Sequence, residues 1–435
     1  MLFIPKAVPY SDKCTVTKKK AVVVGGGIVG VCCALFLQNE GLQVTLIDCA
    51  EPGESTVKWS GGLLAVSDVF PLSRPSILKR IPSALIKPYG PLSIRPGAFP
   101  GILPWAMHFL ANARSARITA TSQAMATLTR NVYSDYEVLL KDGGNKNLIG
   151  NKPVIQVFKH ASGRENYQGH AEQCHALGFQ TTELSSADIA DLEPVLAGKF
   201  AHGVMLNDWR AVNDTRSFMV ALTNLFLQRG GERLMQKVTG LSEKSGIATG
   251  VILNGQRHLP GDHFVIAAGM GSRHFFKQLG VNIPLIGIAG YKTLLTEPGV
   301  TFNHSVIYTD GGFCFTPMTR GLQMGGMLEF AGANAKPDFR RAEIIMQQAR
   351  ELLPQLNPVK QETGVGYRPT LPDSKPVIDR SHRLPNVLMA FGHGSLGLTL
   401  GATTGRIVSE LVAGKIPGQD IAPFSAYRFK IFGQK

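Results

Sequence analysis

Two hydrophobic periods share this chain. From Ala21 to Val24 the apolar residues run continuously, and after a glycine-rich turn and a helical stretch a second strand-like segment follows, Gln43 to Ile47. Unbroken short runs of this kind predict strands buried on both faces of a parallel sheet. Between residues 284 and 330, in "YKTLLTEP", "SVIYTDGGFCFTPM" and "GLQMGGMLEF", the pattern predicts antiparallel-type strands. "KPVIQVFK", "GVILN", "RHLPG" and "HFVIAAG" read as further strands. Helices are predicted from "WAMHFLANARSARI" to Lys141, for "NYQGHAEQCHALGF", within "TTELSSADIADLEPVL" and for "RRAEIIMQQARELLPQL". "DTRSFMVALTNLFLQRGG" is another, with Asp214 as N-cap and Gly230 just past its end. Short strands return after Thr363, and a helix over about Ser395 to Ala413 follows. Prolines crowd residues 71–104, so that segment is expected to run extended, without long helices.

Helices alternating with strands at both ends, around an antiparallel middle, predict an α/β unit interleaved with an α+β unit. The expected boundaries are a loose tail over 1–19, a nucleotide-binding unit from 20–75, 160–280 and 345–435, and a substrate unit from 76–159 and 281–344.

Composition supports a large core: 44% of the 435 residues are apolar and 17% charged, which excludes global disorder. The net charge of +14 admits nucleic acid, an anionic membrane surface or acidic small molecules as partners. No helix-turn-helix, finger or RNA-binding signature accompanies it, so nucleic acid is not expected. The six cysteines form no C-x-x-C and no paired Cys/His spacing. Buried thiols in a reducing compartment are expected, and no metal. No apolar run reaches the length of a spanning helix and the N-terminus has no sustained apolar region, so a membrane contact would be peripheral.

The most specific motif is "AVVVGGGIVGVCCALFLQNEGLQVTLID". Gly25, Gly27 and Gly30 fit G-x-G-x-x-G between a strand and a helix, and Asp48 ends the second strand. The glycines admit a tight turn, a pyrophosphate and close helix–sheet packing; the acid accepts from a ribose diol. The helix N-terminus offers free N–H groups to phosphate. This predicts a Rossmann-like dinucleotide site. Within "HFVIAAGMGS" a strand ends in Ala267, Ala268 and Gly269, similar to the late strand that passes near the flavin in flavin-binding two-dinucleotide-type folds, and a single fingerprint gives no second nicotinamide unit. Bound FAD is the expected cofactor.

With "WSGGLLAVSDVFPL", "GLQMGGMLEFAG" and the long "GVGYRPTLPDSKPVIDRS...PNVLMAFGHGSLGLTLGATTGRIVSELVAG" added, the chain resembles the FAD-dependent D-amino-acid oxidase superfamily over about residues 20–415. The resemblance is closest to its bacterial D-amino-acid dehydrogenase-like branch, which includes D-hydroxyproline dehydrogenases. It implies a FAD-binding unit and an antiparallel-sheet substrate unit. It also implies oxidation of a D-amino acid, or a D-imino acid such as D-hydroxyproline, by hydride transfer from Cα to flavin N5. Electrons would pass to a quinone or another respiratory carrier. A glycine- or sarcosine-type oxidase using oxygen, and a flavin-binding subunit without turnover, are the alternatives. Location would be cytoplasmic, with a candidate peripheral contact on the inner face of the cell membrane.

The resemblance sets Val24, Gly25, Gly27, Ile28, Val29, Gly30 and Asp48 against the nucleotide, and Val238, Ala268 and Gly269 along the cofactor. Ser60, Gly61 and Gly62 would form a turn beside the flavin. Gly392, Gly394, Ser395, Leu396 and Gly397 would cradle its ring, with a helix N-terminus at the edge where negative charge develops on reduction. Arg368 matches the arginine that holds the substrate carboxylate in related glycine oxidases; an ion pair with Asp373 is the plainer alternative. Tyr291 is expected to add a second hydrogen bond to the carboxylate, or else to be a half-buried strand tyrosine. His393 would lie beside the flavin, as a catalytic group or as backbone only. His304, Trp209 and Arg210 are further candidates for the pocket lining.

Overall fold

Ala21 to Val24 are buried on both faces because the strand they form, Lys20–Val24, lies inside a parallel sheet. The computed structural model describes residues 18–79, 81–86, 89–141, 147–332 and 335–429. The expected tail falls outside them up to residue 17, and Cys14 with it. The sheet has six strands, in the order Val377–Arg380, Val387–Phe391, His263–Ile266, Lys20–Val24, Gln43–Asp48 and Glu232–Met235. All neighbours are parallel except the first pair. Three chain segments more than 100 residues apart thus meet side by side, as the interleaved reading requires.

The fingerprint helix Ile28–Asn39 packs on this sheet beside the C-terminal helix Gly397–Val412. Their contact is close: a Cβ on Gly405 would come within 2.7 Å of the Cys32 carbonyl, and one on Gly401 within 3.0 Å of Ile28. Cys32 and Cys33 are buried here as free thiols, whereas Cys49 is exposed.

The second sheet has nine strands. Eight run in the order Lys360–Thr370, Ile286–Thr296, Gly321–Phe330, Phe313–Met318, Val306–Tyr308, Val154–Phe158, His202–Leu206 and Thr181–Ser185; Leu92–Ile94 pairs beside Gly321–Phe330. The strands Thr181–Ser185, His202–Leu206 and Lys360–Thr370 lie in segments that the sequence-based boundaries give to the nucleotide-binding unit, yet they pair here. Their partners are set by long-range register, which element order does not reveal.

The proline-rich stretch differs from expectation. It holds the helices Pro75–Leu78 and Ile81–Ile86, and Phe99–Ala111 begins within it. Proline is accepted in the first turn, where its missing N–H costs nothing; Pro104, deeper inside, stands on the exposed side of its helix. Asp214 caps Thr215–Gln228 by accepting from Ser217 N at 2.7 Å. Among the described residues no helix is long and apolar enough to cross a membrane.

Candidate active site

The nucleotide end is built by backbone. Gly25 N donates to Ile47 O at 2.8 Å, and Ala267 N to Val24 O at 2.8 Å, so the turn is pinned between two strand ends. A Cβ on Gly30 would overlap the Gly25 carbonyl oxygen, so only glycine lets the helix start this close to the turn. Around Gly27 the case is opposite: nothing lies within 4 Å of where a Cβ would stand. Gly27 caps a helix whose N-terminus receives no side-chain hydrogen bond. Asp48 accepts from Gly26 N (2.5 Å, Oδ2) and Ala50 N (2.8 Å, Oδ1). Each oxygen keeps a lone pair for a further donor.

A second helix N-terminus converges on the first. The strand Val387–Phe391 ends in Gly392 and Gly394, both at positive φ (82° and 56°), and a single 3-10 turn, Gly394–Leu396, leads into Gly397–Val412. That helix also has no side-chain cap. A Cβ on Gly397 would sit 3.9 Å from Ile28, the first residue of the fingerprint helix. Two positive helix ends therefore face one region. His393, in the turn between, is buried, and its Nε2 shares a hydrogen bond with Thr404 Oγ1 (2.9 Å). Burial pushes its pKa down to about 3.

A bridge between Thr370 and His393 joins this region to the nine-stranded sheet. Two residues back along the strand is Arg368. The strands Ile286–Thr296 and Lys360–Thr370 pair with Ile288 opposite Arg368, Gly290 opposite Gly366 and Lys292 opposite Gly364. Period two puts all six on one face. Gly325 pairs with both Lys292 and Cys314, continuing that face across the sheet. The face is floored by glycine, and larger residues would block it: a Cβ on Gly290 would overlap the Arg368 guanidinium, and one on Gly364 the Trp59 ring.

The turn Trp59–Gly62 is strapped onto this floor. Thr316 Oγ1 donates to Gly61 O (2.9 Å), Gln323 Nε2 donates to Ser60 O, and Lys58 pairs with Glu362 at 2.9 Å. Gly62 N donates to Ser60 Oγ at 3.2 Å.

Two cations lie on the same floor. Among the described residues the Arg368 side chain makes one hydrogen bond, from Nη1 to Met327 O, and it is long, 3.4 Å. Asp373, its expected alternative partner, is taken by Arg428 (2.7 Å) and Lys375 (3.5 Å). Lys292 is buried, with Nζ 3.7 Å from Cys314 Sγ and 3.5 Å from the Cβ position of Gly61. Among the described residues no carboxylate pairs with either. Burial lowers both pKa values, and Arg368 lowers that of Lys292 further. Buried charges are normally paired, so this arrangement calls for an anion from outside the chain. Lys292 was missed by the sequence reading. The signal was there: a lysine inside the otherwise apolar strand "IAGYKTLLT".

Residues 20–411 match the profile of a family described as FAD dependent oxidoreductase, DAO. The chain belongs to this DAO family. It is 31% identical to a D-amino-acid oxidase of Bradyrhizobium diazoefficiens over 418 residues, covering 94% of this chain and 99% of that one. In fold it is similar to glycine oxidase from Geobacillus kaustophilus (TM-score 0.72, 17% identity, 94% of this chain and 99% of the other). It is also similar to L-proline dehydrogenase from P. horikoshii (TM-score 0.71, 18% identity, 95% and 98%).

The DAO family depends on FAD, and the residues present fit that cofactor. The open space at Gly27, the two uncapped helix ends and the lone pairs of Asp48 are all suited to a pyrophosphate, a ribose and an electron-rich ring edge. Val24, Ile28 and Val29 are buried behind the turn, and Ala268 and Gly269 follow the strand that abuts Gly25. Val238 starts the strand Val238–Lys244 of a small three-stranded sheet and packs, with Leu234, against a buried apolar cluster that includes Leu241, Val251 and Phe264. Ser395 and Leu396 complete the 3-10 turn.

Tyr291 is the exception. It lies one residue from Lys292 and therefore points to the opposite face. There its hydroxyl donates to Glu329 Oε2 (2.6 Å) and accepts from Asp338 N (2.9 Å). Burial, then the Glu329 bond, pushes its pKa up to about 12. Glu329 is fully buried and also binds Arg95 (2.7 Å) and Arg341 (2.8 Å). The expected carboxylate contact from Tyr291 is thus replaced by a structural tie, because strand parity turns it away from Arg368. His304 is held by Glu193 at 2.8 Å, Trp209 Nε1 donates to Ser67 at 2.6 Å, and Arg210 bonds its own turn. Among the described residues none of the three hydrogen-bonds or ion-pairs with Arg368 or Lys292.

Proposed function

We propose that this chain oxidises the amine-bearing carbon of an α-amino acid, with a D-amino acid or a D-imino acid such as D-hydroxyproline as substrate. On this reading the six-stranded unit holds the cofactor and the nine-stranded sheet presents the substrate. The observation that carries it is Arg368: a guanidinium without an acid partner, on a glycine floor that runs to the turn at His393. Its fork binds a carboxylate by two parallel bonds and so fixes the rotation of the whole substrate. The relation to a D-amino-acid oxidase supports a D-configured substrate.

FAD, when bound, supplies the hydride acceptor. The chain's contribution is mainly orientation: Arg368 holds the acid and the glycine floor leaves room for Cα. Lys292 adds a second positive charge beside the Ser60–Gly62 turn, which favours negative charge in that space. The proposed role of His393 is to position the turn: its ring nitrogen is engaged by Thr404, and it stays neutral in the working pH range. Backbone N–H groups of Gly394 to Gly397 and the helix end behind them complement the electron-rich edge of the ring.

The acceptor is proposed to be a quinone or another carrier. Oxygen is the second reading, because the 31% identical relative is named an oxidase. Steady-state assays with D- and L-amino acids, a soluble quinone and peroxide detection separate them. Quinone-dependent turnover of a D-substrate without peroxide supports the first reading. Stoichiometric peroxide supports the second, and turnover of L-substrates alone sinks the D-specific reading.

A further inference from the structure

Helix Phe99–Ala111 is apolar on two sides. Ile102, Trp105 and Phe109 face inward, into a small core shared with Leu78 and Ile81 of the two preceding helices. Leu103, Met107 and Leu110 face outward and are 58%, 65% and 58% exposed. Their spacing of four and three residues sets them in one stripe along the helix. Ile86, at the end of the neighbouring helix Ile81–Ile86, is 79% exposed. Single exposed apolar residues are ordinary; a stripe in helical register is not.

The segment that carries the stripe has charge of one sign. Between Asp68 and Asp135 the sequence contains no Asp or Glu. Lys79, Arg114, Arg117 and Arg130 in that stretch are exposed, and Arg114 and Arg117 follow directly on the stripe, at the start of the next helix, Ser115–Thr129.

We propose that the outer face of helix Phe99–Ala111 is a docking surface for an anionic lipid bilayer. Leu103, Met107 and Leu110 would enter the boundary between headgroups and acyl chains, while Lys79, Arg114 and Arg117 meet lipid phosphates. The paired apolar and cationic features fit this occupant. A second copy of the chain fits poorly, since a two-fold contact on this face would bring the same cations together. The helix is too short to span a bilayer, so the contact is in the interface plane. The inference does not rest on the substrate reading, and its test needs no turnover.

The test is sedimentation of the FAD-loaded protein with vesicles of phosphatidylcholine alone and of phosphatidylcholine with phosphatidylglycerol. Binding is expected to the anionic vesicles, to weaken with salt, and to be absent or far weaker on the neutral ones. Met107→Glu with Leu110→Glu should lower the partition coefficient about tenfold or more, and Arg114→Gln and Arg117→Gln roughly fivefold each. All four side chains are exposed, so flavin content and circular dichroism should not change. The proposal is overturned if anionic vesicles bind no protein at low salt, or bind the variants as tightly as the parent. It is equally overturned if the variants alter only the oligomeric mass, which would assign the face to a second copy.

Discussion

Replacing Arg368 with Met should make the protein more stable and less active at once. The guanidinium lies over Gly290 with a single 3.4 Å bond to Met327 O, so much of its desolvation cost is unrecovered in the substrate-free protein. An unbranched apolar chain of similar length removes that cost, and about 1–2 kcal/mol of added stability is expected. The carboxylate site disappears with it. Two charge-assisted hydrogen bonds, at about 1.5–3 kcal/mol each, correspond to a fall in kcat/KM of roughly a hundredfold or more. Thermal unfolding of the FAD-loaded form reads both effects. 2-Aminoisobutyrate has a carboxylate and an amine but no Cα hydrogen, so it binds without reacting. At a hundred times its Kd it should stabilise the parent by about 2.7 kcal/mol and the variant by almost nothing. A variant that is less stable than the parent, yet gains as much from the ligand, would refute the assignment of Arg368.

Four other substitutions separate roles that neighbouring residues could share. Gly27→Ala meets no atom of the chain and should fold normally while retaining less FAD, whereas Gly30→Ala, which would overlap Gly25 O, should fail to fold; equal FAD retention in a folded Gly27→Ala protein would show that no phosphate approaches there. Tyr291→Phe removes the hydroxyl bound to Glu329 and Asp338 and should cost about 1–3 kcal/mol in urea unfolding with kcat/KM little changed. An activity loss at unchanged stability would instead put Tyr291 at the substrate. His393, held at about 3 against an unfolded value near 6.5, takes up its proton only on unfolding as pH falls between these values, so stability is lost across that window. His393→Gln should abolish that contribution, roughly 2 kcal/mol at pH 5, measured as a shallower loss of stability between pH 6 and 4; an unchanged slope would contradict a neutral buried His393.

The nucleotide end was legible because its determinants are local. Strand, turn, helix, strand and acid follow one another within 29 residues of Lys20, and the structure closes them with bonds such as Gly25 N to Ile47 O. The proposed substrate face was only half legible. In "GIAGYKTLLTEP" neighbouring residues point to opposite faces, and Tyr291 and Lys292 are such neighbours. Which face meets the Trp59–Gly62 turn is decided by pairing with Gly364 and Gly366, some 70 residues on, and by Trp59 packing over them. The lysine therefore went unnoticed while the tyrosine was selected. The strands at 181–206 joined the second sheet for a similar reason: hydrophobic period identifies a strand but carries no label for its partner. The helix across Pro100 and Pro104 formed because Ile102, Trp105 and Phe109 gain a shared core, which outweighs the local cost of Pro104.

The central claim is that the glycine-floored face around Arg368 and Lys292 delivers an amino acid to bound FAD. Its most direct test is anaerobic mixing of the FAD-loaded protein with a panel of D- and L-amino acids that includes cis-4-hydroxy-D-proline, followed by flavin absorbance. At least one D-substrate should bleach the flavin, and Arg368→Met should slow that bleaching by a hundredfold or so at limiting substrate. Flavin that dithionite reduces, but that no amino acid in the panel bleaches, would contradict the claim.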